Sequence, residues 1–495
     1  MNTRKRRLTN NTISSITFQI CTIICGFIIP RLILQSFGSE VNGLVNSIAQ
    51  FLGVIAFLEL GVGAVVQSAL YKPLADTNAP EISKIFVSAQ KFFHLLACIL
   101  LIYIIVLICF YPLITKQYFS FIYTATLIAA IGASSLAQYY FGISYMLLLT
   151  ADQRGYISYN AQTFTLLLNT FSCYVLIRTG ASIQIVKLAT SLIYLLRPAI
   201  LVWYVNQHYR LDKTIKYDKE PIQQKWNGVA QHIAAVVLDS TDLIVLTVFA
   251  SLSTVSVYSI YFLVINGVKH LLLSMTNGIQ ALLGELWARQ ELWELENMFS
   301  WVEWTIHTVT TYIFGCTAIL ILPFISVYTR GINDANYIQP LFAILITAAN
   351  AGHCYRLPYN LMILAGGHYK QTQSNYIIAA IVNVVISVLL VTRYGLIGVA
   401  IGTLVAMLYQ TFWMAIYISK NLIKWPLANF TKQIFIDMVS VILMYIFTMW
   451  FSLDTVTYFA WFIMAIKVVS ASAIAVLIVN IIFYRNMITQ ILRAI

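Results

Sequence analysis

Gln207-His208-Tyr209-Arg210-Leu211-Asp212-Lys213-Thr214-Ile215-Lys216-Tyr217-Asp218-Lys219-Glu220 opens the longest polar stretch of this chain; with Lys225 it places five basic residues between two apolar runs. Working outward from it in both directions, the sequence divides into about fourteen apolar runs. They lie near 13–36, 42–71, 85–111, 121–149, 156–177 and 184–206 before the polar stretch. After it come 227–250, 254–282, 300–327, 338–365, 371–392, 395–419, 431–451 and 456–483. Each is long enough to cross a hydrocarbon layer of ~30 Å, which takes about 20 helical residues. Of the 30 basic residues, roughly 20 fall in the N-terminus and the even-to-odd connections, the class to which 207–225 belongs; roughly five fall in the opposite connections and about five within runs. Short loops rich in Lys and Arg stay inside, so the linker and both termini are expected on the cytoplasmic side of the membrane. The fold class read from this pattern is an all-α polytopic membrane protein.

Composition agrees. Hydrophobic residues make up 60% and charged residues 10% of the 495 positions, against a soluble norm of about 25% charged. The net charge of +12 follows from the inside bias of basic loops and their attraction to anionic lipid, and calls for no nucleic acid. Arg4, Lys5, Arg6 and Arg7 precede the first run with no small-residue cleavage site after it, which reads as a retained anchor. The seven cysteines all fall within runs and show no metal-ligand spacing with histidine, so neither a disulfide framework, a metal nor another cofactor is expected.

The two halves are related. Leu149-Thr150-Ala151-Asp152-Gln153-Arg154-Gly155-Tyr156 closes span four and opens span five; Leu364-Ala365-Gly366-Gly367-His368-Tyr369 does the same for spans ten and eleven, about 215 positions later. At that shift Asn160 meets Asn375 and Gly180 meets Gly395, and Ser39-Glu40-Val41 meets Ser253-Thr254-Val255 at a shift near 214. An even number of spans per copy sends both copies into the membrane in the same direction. The expected organisation is an N-lobe of spans one to six (1–206), a basic linker (207–226), a C-lobe of spans seven to twelve (227–420), and two further spans (431–484).

Charges within the runs are the candidate functional residues: Arg31, Glu59, His94, Arg197, Asp239, Asp242, Lys269, Glu303, His307, Arg356 and Lys467. An ionised side chain at the bilayer centre costs about 2.5–3.5 kcal/mol on insertion scales, so most must face the bundle interior or a wet cavity. Lys467 and Glu303 are read as snorkelling or lying near a helix end, and Arg31 as able to snorkel from the outer end of span one. His94 and His307 stand alone on apolar faces and read as packing or hydrogen-bonding residues. Asp239 and Asp242, three apart on one face of span seven, suit either a structural ion pair or a coupling cation or proton. Arg197, Lys269 and Arg356 lie deep in their spans and read as cavity lining. A guanidinium donates two parallel hydrogen bonds to phosphate oxygens, which suits a pyrophosphate.

Further motifs carry a family likeness. Pro30-Arg31-Leu32, Phe37-Gly38-Ser39-Glu40-Val41-Asn42-Gly43-Leu44 and Leu60-Gly61-Val62-Gly63-Ala64 bracket spans one and two; Tyr71-Lys72-Pro73-Leu74 follows. Asp242-Leu243-Ile244-Val245 and Gly395-Leu396-Ile397-Gly398-Val399-Ala400-Ile401-Gly402-Thr403 complete the set. Together they resemble the polysaccharide-transport and O-antigen flippase branch of the multidrug/oligosaccharidyl-lipid/polysaccharide (MOP) exporter superfamily, over essentially the whole chain. The resemblance implies translocation of an undecaprenyl-pyrophosphate-linked oligosaccharide from the cytoplasmic to the periplasmic leaflet by alternating access of the two lobes. It implies membrane lipids and the polysaccharide polymerase machinery as partners. It also implies that spans one, two, seven and eight line the cavity, which favours Arg31, Glu59, Asp239, Asp242 and Lys269, and that spans thirteen and fourteen flank a groove for the polyprenyl tail. Lacking a dense basic vestibule, the chain is expected to carry a neutral or modestly charged glycan. Two rivals stand beside this reading. A drug/cation antiporter of the same superfamily usually has twelve spans. A membrane polymerase or glycosyltransferase would need catalytic groups on outward loops, which here are short and carry few acids: Glu40, Asp334 and Asp454.

Overall fold

The computed structural model describes residues 2–54, 56–217, 220–222, 229–276, 279–423, 425–485 and 487. Eighteen α-helices follow one another without a strand among these residues. They are α1 (Asn2–Gly53), α2 (Ala56–Ala75), α3 (Ala79–Ile114), α4 (Phe121–Ala137), α5 (Ile143–Ala151), α6 (Tyr156–Arg178), α7 (Ile183–Tyr194), α8 (Leu196–His208) and α9 (Val229–Phe249). Then come α10 (Leu252–Met275), α11 (Ile279–Ala288), α12 (Leu292–Tyr328), α13 (Pro340–Tyr355), α14 (Leu357–Ala365), α15 (Tyr369–Tyr394), α16 (Leu396–Asn421), α17 (Leu427–Thr448) and α18 (Tyr458–Phe483). The chain forms two compact units, Met1–Val236 and Val237–Ile495.

Polar caps start several helices inside otherwise apolar sequence. The side chains of Asn78, Ser120, Ser251 and Thr457 each accept a hydrogen bond from a backbone N–H three residues on, satisfying a donor that the first turn leaves free. Gly38, at φ +83°, breaks α1 between spans one and two, a conformation open to glycine at no steric cost.

Ten helical runs are long and apolar enough to cross a membrane among the described residues. The expected spans two, five, seven and ten are not among them; parts of spans two and seven lie outside the described residues. Span five carries Asn160, Gln162 and Asn169. Of span seven, the described residues show Ser240–Phe249 as an apolar helix. Span ten is cut between α13 and α14, where Pro358 has no N–H to offer the carbonyl four residues earlier. The protein is a multi-pass membrane protein, and its burial pattern is the inverse of a water-soluble bundle. Ile13, Ile16, Ile20, Ile24 and Ile28 form an exposed stripe along α1, while Ser39, Asn42, Thr165, Asn375, Asn383 and Gln410 are buried. An apolar face three or four residues apart that meets no protein is a face for lipid.

Element boundaries repeat at a nearly constant offset. α3 and α12 begin 213 positions apart, at Ala79 and Leu292, and end 214 apart, at Ile114 and Tyr328. The α7–α8 pair and α16 are offset by 213 at both ends, Ile183 to Leu396 and His208 to Asn421. Left-handed residues recur likewise: Thr77 with Gln290, Gln153 with Gly367, and Gly180 with Gly395. Packing follows suit within each unit: α2 lies on α3 and α5 as α11 lies on α12 and α14, and α4 lies on α7 as α13 lies on α16. The additional helices α17 and α18 pack on each other and on α12.

Candidate functional site: charges inside the two units

In the first unit, Arg197 stands on α8 directly before Pro198, at the break with α7. It is half-buried. Its Nε donates to Thr165 Oγ1 at 2.7 Å, and its guanidinium lies 3.7 Å from the centre of the Tyr194 ring, a cation–π arrangement. The group borders a cavity of about 360 Å³ that Ser134, Gln138, Ser158, Gln162 and Tyr194 also line. Opposite lies a π-helical turn, Gln138–Gly142, which joins α4 to α5. A Cβ on Gly142 would stand 2.7 Å from the Gln138 amide, so glycine leaves that amide its place. π-helical turns of this kind occur frequently at functional sites.

A second ionic cluster ties the ends of this unit. Asp152, in the turn between α5 and α6, is 3.2 Å from Arg7 Nη1 and 2.9 Å from Arg154 Nε. Tyr209 donates to its Oδ2, the oxygen Arg154 also reaches, and burial together with the Asp152 carboxylate holds that phenol above its ordinary pKa. Asn11 closes the cluster by bonding Gln153 O and Tyr156 N.

The second unit buries its charges. Arg356, 6% exposed, occupies the break between α13 and α14 two residues before Pro358. Its Nη2 is 3.1 Å from His353 Nδ1, while Nε and Nη1 have no hydrogen-bond partner among the described residues. Lys269 on α10, 5% exposed, also lies within electrostatic reach of His353. A buried guanidinium with unused donors is costly unless an acceptor fills the place. Asn375 and Gln410, fully buried on α15 and α16, likewise leave their amide atoms unpartnered among the described residues.

Asp242 on α9 belongs to a chain of oxygens. Tyr258 donates to its Oδ2 at 2.8 Å, and the Thr403 hydroxyl lies 2.7 Å from the same atom and 3.1 Å from Val399 O. Ser387 Oγ continues the chain, 3.5 Å from Val399 O and 3.0 Å from Asn383 Oδ1. Gly402 is what lets α15 and α16 close here: a Cβ on it would meet Ser387 Oγ and would stand 3.0 Å from Asn383 O.

The structure therefore brings Lys269, Arg356 and His353 together and places Asp242 in a separate cluster, while Arg197 lines a cavity of the other unit. Arg31 is half-buried on α1. The side chains of Glu59 and Asp239, and the linker residues Lys219 and Lys225, lie outside the described residues. Two expectations are corrected. Glu303 neither snorkels nor sits at a helix end: it is the twelfth residue of α12, 4% exposed, and accepts from Tyr359 Oη at 2.6 Å and Trp425 Nε1 at 3.1 Å. His307 does not stand alone: its Nδ1 is 2.7 Å from Asp437 Oδ2, and Thr311 and Gln433 donate to the other Asp437 oxygen. His94 does find an aromatic neighbour, stacking on Tyr140 at 4.1 Å. Lys467, the tenth residue of α18, is exposed. Asp437, which lies inside span thirteen, was absent from the charges singled out in the sequence.

No protein-family model and no curated protein matches this sequence. Solved structures do. The lipid II flippase MurJ, in an inward-closed conformation, matches with a TM-score of 0.72 at 15% identity, over 97% of this chain and 99% of that one. An inward-facing multidrug resistance MATE family transporter of the MOP superfamily matches at 0.60 and 15% identity, over 81% of this chain and 94% of its own. The MATE transporter DinF-BH in complex with R6G matches at 0.60 and 12% identity, over 85% and 97%. The chain has the fold of MOP-type transporters. At such identities the likeness carries the architecture and not the cargo.

Proposed function

We propose that the protein is a flippase that moves an undecaprenyl-pyrophosphate-linked oligosaccharide from the cytoplasmic to the periplasmic leaflet of a bacterial inner membrane by alternating access. The observation that carries this reading is buried Arg356, with two guanidinium nitrogens unpartnered beside His353 and Lys269 in reach. A cationic cluster inside an apolar unit suits an anionic diphosphate and not a cationic drug. The extent of the structural match supports it: the MurJ flippase covers 97% of this chain, whereas the MATE transporters leave 15% to 19% unmatched. That remainder is about the share occupied by 421–495, the segment holding α17 and α18. Arg197, Arg31 and Glu59 would line the rest of the substrate path. The likeness in fold to transporters supports a carrier over the membrane enzyme.

Asp242, with Asp239 a turn earlier on α9, is proposed to bind the coupling ion. A carboxylate reached by the Tyr258 and Thr403 hydroxyls, with a second carboxylate a turn away in sequence, suits a proton or a hard cation. Asp242→Asn should weaken the dependence of transport on the ion gradient or membrane potential; unchanged dependence would reduce Asp242 to a structural acceptor. The central test is leaflet accessibility of undecaprenyl-linked oligosaccharide in spheroplasts with and without the gene. Accumulation of inward-facing repeat units on deletion supports flipping. Normal flipping with lost polymer would point to an enzyme acting later, and altered drug sensitivity with normal glycan to an antiporter.

A further inference from the structure

We propose that the second unit carries a pocket for the ethanolamine-phosphate headgroup of a membrane lipid, built where α12, α17 and α18 meet. A cavity of about 170 Å³ lies there, lined by Glu303, Trp304, Trp425, Lys432, Gln433 and Tyr484. Its depth in the bilayer follows from the helix ends. Trp425 stands two residues before α17 begins at Leu427, and Tyr484 follows directly on the end of α18 at Phe483. Two apolar helices thus stop at this level, where hydrocarbon gives way to headgroups and where Trp and Tyr are favoured.

The lining has the two signs that a zwitterion needs. At the floor, Glu303 accepts only from neutral groups, the Tyr359 phenol and the Trp425 indole. No cation forms an ion pair with it among the described residues, and His307 directs its Nδ1 to Asp437 instead. A carboxylate oxygen accepts two hydrogen bonds, so each keeps room for one more. Three aromatic side chains share the lining, Trp304 and Tyr484 with ring centres 6.1 Å apart. Aromatic faces around a carboxylate recognise an ammonium ion. At the mouth, exposed Lys432 holds its Nζ 5.0 Å from the centre of the Tyr484 ring and makes no ion pair among the described residues, which leaves its charge for a phosphate. A primary ammonium can donate to Glu303, whereas a trimethylammonium has no N–H and a glycerol headgroup has no positive charge. This occupant is independent of what the protein transports.

The test uses the full-length protein equilibrated in nanodiscs with equal phosphatidylethanolamine and phosphatidylglycerol of matched acyl chains, with retained lipid counted by native mass spectrometry. The wild type should retain phosphatidylethanolamine over phosphatidylglycerol by at least about tenfold, the size of one charge-assisted hydrogen bond. Glu303→Gln should bring the ratio to that of the bulk lipid. Ser300 also lines the pocket, and Ser300→Trp, which fills it and leaves the Glu303 hydrogen bonds in place, should do the same. Lys432→Ala should lower retention of both lipids and keep their ratio. A bulk ratio in the wild type, or an undiminished ratio in either folded Glu303→Gln or folded Ser300→Trp, overturns the proposal.

Discussion

The two units share helix boundaries at an offset of 213 or 214 residues, yet they treat charge in opposite ways. In the first, the turn between α5 and α6 is fastened by Asp152 with Arg7 and Arg154, at half-exposed positions. In the second, the corresponding turn is Gly366-Gly367-His368, where His368 Nδ1 pairs with the Tyr417 hydroxyl at 2.8 Å and no ion pair forms among the described residues. Asn160 is exposed, while its counterpart Asn375 is fully buried. The second unit encloses Asp242, Lys269, Glu303, Arg356 and Asp437, all buried. A duplicated scaffold thus fixes helix lengths and turns, and leaves each copy free to place its polar groups where different work is needed. Ionic ties in the first unit are surface fasteners. Those in the second are interior groups whose desolvation must be offset by partners or by a ligand.

That contrast is broken most severely by Asp437→Ala. The substitution strands the His307 imidazole, the Thr311 hydroxyl and the Gln433 amide inside the second unit. Breaking a buried polar pair from one side costs about 3–5 kcal/mol, so unfolding in nanodiscs, followed by tryptophan fluorescence, should move to clearly lower temperature. A shift no larger than that of Asp152→Ala would show that the buried cluster is not what holds α12 to α17. Next in size is a functional difference between two arginines set beside proline breaks. Arg356→Gln should reduce flipping of lipid-linked oligosaccharide about tenfold or more, the loss of one charge-assisted contact. Arg197→Gln should cost less, because its guanidinium is already engaged by Thr165 and Tyr194. Equal flipping rates in inserted Arg356→Gln and wild type would remove the anion argument.

The architecture was legible because lipid imposes a length and a composition on each crossing helix, and because Gly38, Gly180 and Gly395 mark chain reversals by their left-handed backbone. The site was legible only in part. Asp242, Lys269 and Arg356 stood out as charges in apolar runs, and all three are buried. The polar seam between α12 and α17 was missed, although the sequence carries it. Glu303, His307 and Thr311 are four apart on one helix, and Gln433 and Asp437 are four apart on the other, so each set forms one stripe. Reading the residues one at a time hid two stripes that face each other. The π-helical turn at 138–142 had no such mark: Gln-Tyr-Tyr-Phe-Gly is compatible with an ordinary α-helix, and the turn packs against α8 and α3, contacts that the local sequence does not show.

Smaller effects sharpen the comparison at the helix hairpins. Gly398 and Gly402, four apart on α16, allow close approach of α15: Cβ atoms there would stand 2.6 Å from the Leu390 carbonyl carbon and 3.0 Å from Asn383 O. Helices in lipid use small residues in this spacing to bring backbones together. Gly402→Ala should therefore destabilise the second unit by about 1–3 kcal/mol through overpacking. At the offset of 213 the first unit already has Ala189, so Ala189→Gly should cost only about 1 kcal/mol, the helix propensity of glycine. Equal effects would mean that the two hairpins pack at the same distance despite their sequences. Smallest of all should be Asp152→Ala. Its partners are half-exposed, and an ion pair in that setting contributes about 0–1 kcal/mol, screened further by salt. The difference between wild type and Asp152→Ala should shrink as ionic strength rises, while that for Asp437→Ala should not, because a pair closed off from water lies beyond the reach of dissolved ions.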